Sequence, residues 1–375
     1  MGHLAGRRIT VIGAGIGGLT AAIALARRGA EVTILERSAE LAEIGAGIQL
    51  SPNGMRVIDA LGLGDAVRAA SLPSRAVELY DQWARPVIRL DFRARRPDAD
   101  FRVIHRARLI ECLARAAGQA GVTLKLGQPA GAIPADGLVI GADGLHSLTR
   151  QALNGREVPF FTGHTAWRAV IPDPGTGPTT ARLYMAPGRH LVSYRLGDGL
   201  RNIVAVMERR DWQDEGWSQP GDPQALREAF AAIGGAVPGW LKRVETAHLW
   251  GLFRHEVARI WQDGRIALVG DAAHPTLPFL AQGGVMAIED AWTVAGCLDA
   301  EADVPTALAR YQALREPRCR RIVAAANANA RNYHLSGARR LVGHHALRCI
   351  GRLAPDLMPS RFDWLYDHDP TNETP

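Results

Sequence analysis

The sequence predicts an α/β fold built on two sheets. One is a parallel-strand nucleotide domain, the second a mainly antiparallel domain inserted into it, and a helical C-terminal region follows. Three features point there. The apolar run Ile9–Ile12 passes straight into a glycine-rich turn and an alanine-rich helical stretch. Between residues 160 and 208, four strand-like runs alternate with turn signals. From Glu289 onward the pattern is helical. Strand–turn–helix units favour parallel sheets, whereas closely spaced strands and turns favour antiparallel ones.

The first element is the most specific. Ile9–Ile12 leads into Gly13-Ala14-Gly15-Ile16-Gly17-Gly18, then LTAAIALARRG, then a second strand, EVTILER, which closes on Glu36 and Arg37. This is the Rossmann-like dinucleotide fingerprint. Gly13 permits the tight turn, Gly15 lets the backbone approach a pyrophosphate, and Gly18 lets the helix lie close on the strand. The helix N-terminus supplies amides for the phosphates. Glu36, 23 positions after Gly13, suits an unphosphorylated ribose diol, so FAD or NAD is favoured here over NADP.

A Gly-rich loop and Ser51-Pro52-Asn53 then open an amphipathic helix, and Ala76–Phe92 reads as a strand pair. Ile104-His105-Arg106 leads into a helix over Leu109–Ala120, followed by short strands at Val122–Leu126 and Leu138–Ile140. The runs HTAWRAVI, ARLYM, HLVSYRL and NIVAVME form the inserted sheet, with turns at Pro187-Gly188 and Gly197–Gly199. Helices are expected at Gln224–Ile233, Gly239–Val244 and near Leu341–Leu353, and RIALVGD returns to the nucleotide domain. The expected division is a discontinuous nucleotide domain over 1–72, 101–158 and 251–300. A substrate domain covers 73–100 and 159–250, and a helical region covers 301–375.

Composition narrows the function classes. At 375 residues the chain can bury a core for two domains. No apolar run approaches the ~20 residues of a membrane-spanning helix, and no secretory segment precedes the first strand; the expectation is a cytoplasmic protein. Cys112, Cys297, Cys319 and Cys349 are far apart, which argues against a disulfide framework and against a zinc site. The pI is about 9.5, but 42 of the 44 basic residues are arginines spread along the chain. Patches such as Arg93–Arg96 lack interleaved aromatics, so nucleic-acid binding is not expected.

Three separated motifs coincide: GAGIGG with Glu36-Arg37, GADGLHS at 141–147 with Arg150, and GDAAHPTLPFLAQGG at 270–284. Together they resemble the class A FAD-dependent aromatic hydroxylases, nearest the salicylate hydroxylase and 3-hydroxybenzoate 6-hydroxylase branch. The resemblance extends through GAGIQLSPN, HTAWRAVIP, GRHLVSY and DWLYDHD. It implies a p-hydroxybenzoate hydroxylase-type fold, and a monooxygenase in which NADH or NADPH binds transiently and reduces FAD. O2 then adds at flavin C4a, and the resulting hydroperoxide attacks a phenol or aromatic acid. The chain is expected to act as a monomer or homodimer in aromatic-compound catabolism. Between Val122 and Gly141 it is shorter than its relatives, which usually carry a longer β-meander there.

The same resemblance assigns roles. Asp271 contacts the ribityl chain, while Pro278, Gly283 and Gly284 line the isoalloxazine. Arg106 lies near the ribityl or phosphate part, and Asp143 serves the pyrophosphate. A helix beginning near Val285 would aim amides at the pyrimidine edge of the flavin, which becomes anionic on reduction. His190 is implied as the base that deprotonates the ring hydroxyl, Tyr194 as an orienting group, and Gln282 as a second polar contact. His190 and Tyr194 are four apart in a strand and so share one face. Arg168, Arg195 and Arg254 are each candidates for a substrate carboxylate, and Gln49 argues against a pyridine ring because related hydroxynicotinate enzymes carry His there. His274 is expected to be structural. Two alternatives remain at this stage: an FAD reductase or oxidase without oxygen insertion, and a non-enzymatic flavin-binding sensor. HTAWRAVIP lacks the second Trp of flavin halogenases.

Overall fold

A computed structural model describes residues 2–41, 46–210 and 219–373. Part of the Gly-rich loop before Ile48, at 42–45, lies outside the described residues.

The first sheet has five strands in the order Ile266–Leu268, Leu138–Gly141, Arg8–Ile12, Glu31–Leu35 and Thr123–Lys125. Every pairing in it is parallel. Such strands are covered on both faces, which is why Leu138–Gly141 is apolar and buried at all four positions. Helix Ile16–Ala26 packs against helix Gly283–Ala300. It is buried at Ile16 and from Gly18 to Leu25. A helix apolar all round belongs to a core.

The second sheet has ten strands. Nine follow one another as Gln219–Gly221, Ala247–Arg254, Phe160–Pro172, Leu200–Glu208, Arg189–Arg195, Thr179–Ala186, Ser71–Asp81, Arg102–His105 and Gly47–Leu50. Pro86–Leu90 pairs beside Ser71–Asp81. All pairs are antiparallel except one: Thr179–Ala186 runs parallel to Ser71–Asp81, joining chain segments on either side of much of the nucleotide domain. Ala247–Arg254 has no counterpart in the sequence reading. Only Ala247 and Leu252 in it are buried, so it shows no alternating stripe, and its pairing comes from position between two strands. Gly47–Leu50 and Arg102–His105 extend this sheet at its far end.

One face of the large sheet is closed by a cluster containing Trp167, Leu191, Phe230 and Trp240, contributed in part by helices Pro223–Ala229 and Val237–Lys242. Its other face looks toward the nucleotide domain. There Ala166, Val206 and Leu252 meet Leu277 and Phe279 of the proline-rich turn. The 30-residue helix Val304–Tyr333 starts at Asp303, whose carboxylate accepts from the Thr306 amide at 3.0 Å. It passes through Pro317 without ending, and delivers Tyr333 and His334 to the junction between the two halves. The last long helix is Gly337–Leu353, beginning four residues before the expected Leu341.

Candidate flavin site and substrate cleft

The fingerprint turn has the shape a dinucleotide needs. Gly13 stands at φ 101°, a conformation open to glycine, and a Cβ on Gly18 would lie 1.9 Å from the Gly13 carbonyl oxygen. Around Gly15 there is open space: no atom lies within 4 Å of where its Cβ would be. The turn can therefore admit a pyrophosphate at Gly15 while Gly13 and Gly18 hold helix to strand. Glu36 accepts hydrogen bonds from the Ala14 amide at 2.7 Å and the Ser38 amide at 2.8 Å. Two contacts leave part of a carboxylate's acceptor capacity for a ribose. Arg37 beside it is exposed.

Asp143 is committed to its own loop. Its oxygens accept from Ser147 Oγ (2.6 Å), Thr149 Oγ1 (2.7 Å) and the Leu148 amide (2.7 Å). It thus shapes the turn that packs on Gly13 and Gly18, whose missing side chains would strike Ala142.

Asp271 is exposed to solvent yet lies in a hollow of the protein surface, close to His274 and Arg106. Burial in that crevice raises its carboxyl pKa, and the charges of His274 and Arg106 pull against the rise. Pro278 starts a short 3₁₀ turn, and Ala281 behind it adopts φ 53°. The long helix begins at Gly283 rather than near Val285, so Gly283 and Gly284 form its first turn and their amides are among those without an intrahelical partner. A Cβ on Gly284 would come within 2.7 Å of Ile48. Crevice, open glycine turn and free helix N-terminus together fit a bound FAD.

Gln282, expected beside the substrate, has both amide ends engaged by protein. Its Nε2 donates to Ser51 Oγ at 3.0 Å, and its Oε1 accepts from Asn53 Nδ2 at 3.2 Å. These contacts open onto a buried ionic network absent from the sequence reading. Asn53 Nδ2 also donates to Glu289 at 2.6 Å, Glu289 pairs with Arg315 at 2.6 Å and Arg318 at 2.8 Å, and Arg315 reaches Asp290 at 2.8 Å. Asp290 in turn accepts from the Gly270 amide at 3.0 Å and pairs with His274 at 2.5 Å. The network therefore ties Gly270, where the cofactor loop starts, to Gln282, where it ends. Burial opposes ionisation of Glu289 and Asp290, but neighbouring cations win and hold both carboxyls below their ordinary range. The signal in the sequence was two adjacent acids inside an apolar helix, which require buried partners; Arg315 and Arg318, one turn apart, supply them. Among the described residues, His274, Asp290 and Cys319 also approach closely enough to hold a metal, a grouping the scattered cysteines did not suggest.

On the cleft face of the large sheet, His190, Val206 and Ala166 stand in register across three strands. Tyr194, Asn202 and Val170 do so two rows away, and Arg168 stands with Val204 and Val192 in the row between. His190 is buried, with its ring edge-on to Phe279 at 5.2 Å. Burial, then the neighbouring His334 and His164, pushes its pKa well below the usual value, so the imidazole is neutral at pH 7. Tyr194 is buried against Gly47, where a Cβ would meet its ring at 2.7 Å. Burial raises its pKa, while Arg168 and Asn202 act in the opposite direction.

The three arginines separate by their surroundings. Arg195 points to the other side and donates to the carbonyls of Thr176, Gly177 and Pro178. Arg254 pairs with Glu256 at 3.5 Å and lies over Phe160 at 4.7 Å, at the end of its strand. Arg168 stands on the cleft face in the row between His190 and Tyr194, with its guanidinium 5.1 Å from the Trp250 ring.

Comparison with known proteins agrees with this geometry. A profile of the FAD binding domain matches residues 7–137 and 129–326. A 3-amino-4-hydroxybenzoate 2-monooxygenase of Streptomyces platensis is 34% identical, covering 96% of this chain and 95% of the relative. A 3-hydroxybenzoate 6-hydroxylase of Polaromonas naphthalenivorans is 33% identical over the same shares. Among solved structures, a single-substitution variant of Klebsiella pneumoniae HpxO complexed with FAD superposes with a TM-score of 0.84 at 22% identity, covering 97% of this chain and 100% of that one. A salicylate hydroxylase substrate complex gives 0.81 at 23%, covering 98% and 97%. No described helix is long and apolar enough to cross a membrane. With its dinucleotide turn, cofactor crevice and aromatic-lined cleft, the chain belongs to the FAD-dependent aromatic monooxygenases.

Proposed function

We propose that the protein hydroxylates a phenolic carboxylic acid of the hydroxybenzoate or aminohydroxybenzoate kind, using NADH or NADPH as transient donor, in the cytoplasm and as a monomer or homodimer. The observation that carries this reading is the shared cleft face of His190, Tyr194 and Arg168. His190 and Tyr194 are four residues apart, about 13 Å along a strand, a span comparable with one substituted ring. FAD, when bound at the glycine turn and the crevice of Asp271, supplies the activated oxygen. The protein's own residues do the rest. A neutral, buried His190 takes the phenol proton, which makes the ring a stronger nucleophile. Arg168 holds the carboxylate, Tyr194 orients the ring, and Phe279 with the apolar row beside it keeps water out. Gln282 acts as a positioning residue through Ser51 and Asn53. Relatives that act on hydroxybenzoates by name support the substrate class.

The test is a panel of phenols and aromatic acids with the FAD-loaded protein, reading NADH and NADPH oxidation together with product mass. Expected is a product one oxygen atom heavier from at least one hydroxybenzoate. Stimulated oxidation that yields peroxide alone across the panel would overturn the proposal in favour of an oxidase.

A further inference from the structure

Behind His190 the cleft does not end in apolar packing. His190 Nδ1 lies 2.7 Å from His334 Nε2, and His334 Nδ1 lies 3.0 Å from Glu208 Oε1. The side chain of His334 is 2% exposed and that of Glu208 56%. The three groups come from two strands and the end of the helix Val304–Tyr333, and they run in single file from the cleft to solvent. Their direction is dictated by chemistry. An ionised carboxylate only accepts, so His334 must donate from Nδ1 and carry a bare Nε2. That bare nitrogen accepts from His190 Nδ1–H, which leaves His190 Nε2 as the unprotonated atom of the ring.

From this file we propose that His334 and Glu208 are positioning residues that fix His190 as a base at Nε2 and carry its proton to solvent. The proton taken at His190 Nε2 is balanced by transfer of His190 Nδ1–H to His334 Nε2, and of His334 Nδ1–H to Glu208, which releases it to water. No electrons move. The file resets by running backward when the product is reprotonated. This rests on His190 being the substrate base.

The surroundings suit the role. His164 stands 5.3 Å from the His334 ring, Tyr333 5.3 Å from His190, and Phe279 closes the remaining side. Burial first, then His164, holds His334 at a pKa of about 4, with Arg189 acting in the same sense and Glu208 opposing. Both imidazoles are therefore neutral at pH 7, as a directional file requires.

Two measurements decide it. The first needs no substrate: long-range 1H–15N correlation on FAD-loaded protein carrying 15N-histidine, assigned with His190→Gln and His334→Gln. Both rings are expected as Nδ1–H tautomers at pH 7. A His190 that is Nε2–H or doubly protonated overturns the proposal. The second is stopped-flow phenolate absorbance on mixing with 3-hydroxybenzoate. Glu208→Ala should slow phenolate formation about tenfold or more, with Kd for the probe little changed. Formate, which can enter the space left at the solvent edge, should restore the rate, and Glu208→Asp should keep most of it. An unchanged rate, or a loss that neither formate nor Asp repairs, overturns the relay. If wild type forms no phenolate, the base reading of His190 fails with this probe, and the tautomer result still decides the relay.

Discussion

Glu289→Gln is the sharpest probe of how the cofactor loop is held. Glu289 is fully buried and accepts from Arg315, Arg318 and Asn53 at 2.6–2.8 Å. The substitution keeps shape and removes charge, leaving Arg315 with Asp290 as its one remaining carboxylate. Breaking a buried ion pair from one side costs about 3–5 kcal/mol. Unfolding entropy near 2.1 cal/mol/K per residue gives about 0.8 kcal/mol/K for this length, so Tm should fall by about 4–6 °C. Because Asn53 links Glu289 to Gln282, FAD affinity should fall as well. Differential scanning calorimetry of the FAD-free protein reads the first effect, and fluorescence titration with FAD the second. A Tm change under about 1 °C would show that the charge contributes nothing net, and the network could not then be what holds the loop.

Other expectations follow from the same geometry. His190→Ala should keep FAD bound while turnover drops by about 10²–10⁴, with the loss smaller at high pH, where more substrate is already phenolate; an unchanged turnover number removes His190 from the chemistry. Arg168→Gln should raise KM for carboxylated phenols by about 10-fold or more, a charged hydrogen bond being worth about 1.5–3 kcal/mol, and should leave phenols without a carboxylate unaffected. Gly15→Val should fold normally, since nothing stands within 4 Å of its Cβ, yet lose FAD binding; unchanged flavin uptake refutes the assignment of that space to the pyrophosphate. His274 is held protonated well above its ordinary pKa: burial opposes this, and Cys319 and Asp290 outweigh it. Its stabilising contribution is complete below about pH 6.5 and is lost as pH rises toward the folded-state value, so the stability gap between wild type and His274→Asn should narrow with rising pH in urea titrations.

The parts legible in the sequence were those written by local chemistry. Gly13, Gly15 and Gly18 speak through spacing, and His190 and Tyr194 through the period of a strand. What stayed hidden depends on residues far apart in the chain. His334 meets His190 across 144 positions, and Arg315 meets Glu289 only because two helices pack. The three arginines looked equivalent because strand parity says which residues share a face, never which face is covered; Trp167, Phe230 and Trp240 decide that by closing one side. Ala247–Arg254 escaped notice because a strand with few buried residues writes no alternation. The start of the helix after Gln282 was misplaced by two residues, since glycines read as loop in sequence, whereas Gly284 is a helical position where Ile48 leaves no room for a side chain.

The large sheet reaches from Gln219–Gly221 to Gly47–Leu50 without a break, because Ser71–Asp81 pairs with Arg102–His105 at one end and Thr179–Ala186 at the other. A hinge anywhere within this wall of the cleft would have to rupture that ladder. The wall that carries His190, Tyr194 and Arg168 therefore stays still as a ring arrives, and entry falls to rotation of side chains, displacement of the cofactor or movement of the nucleotide sheet against that wall. Mutations that loosen entry should accordingly map to the cleft lining and leave the junction strands untouched.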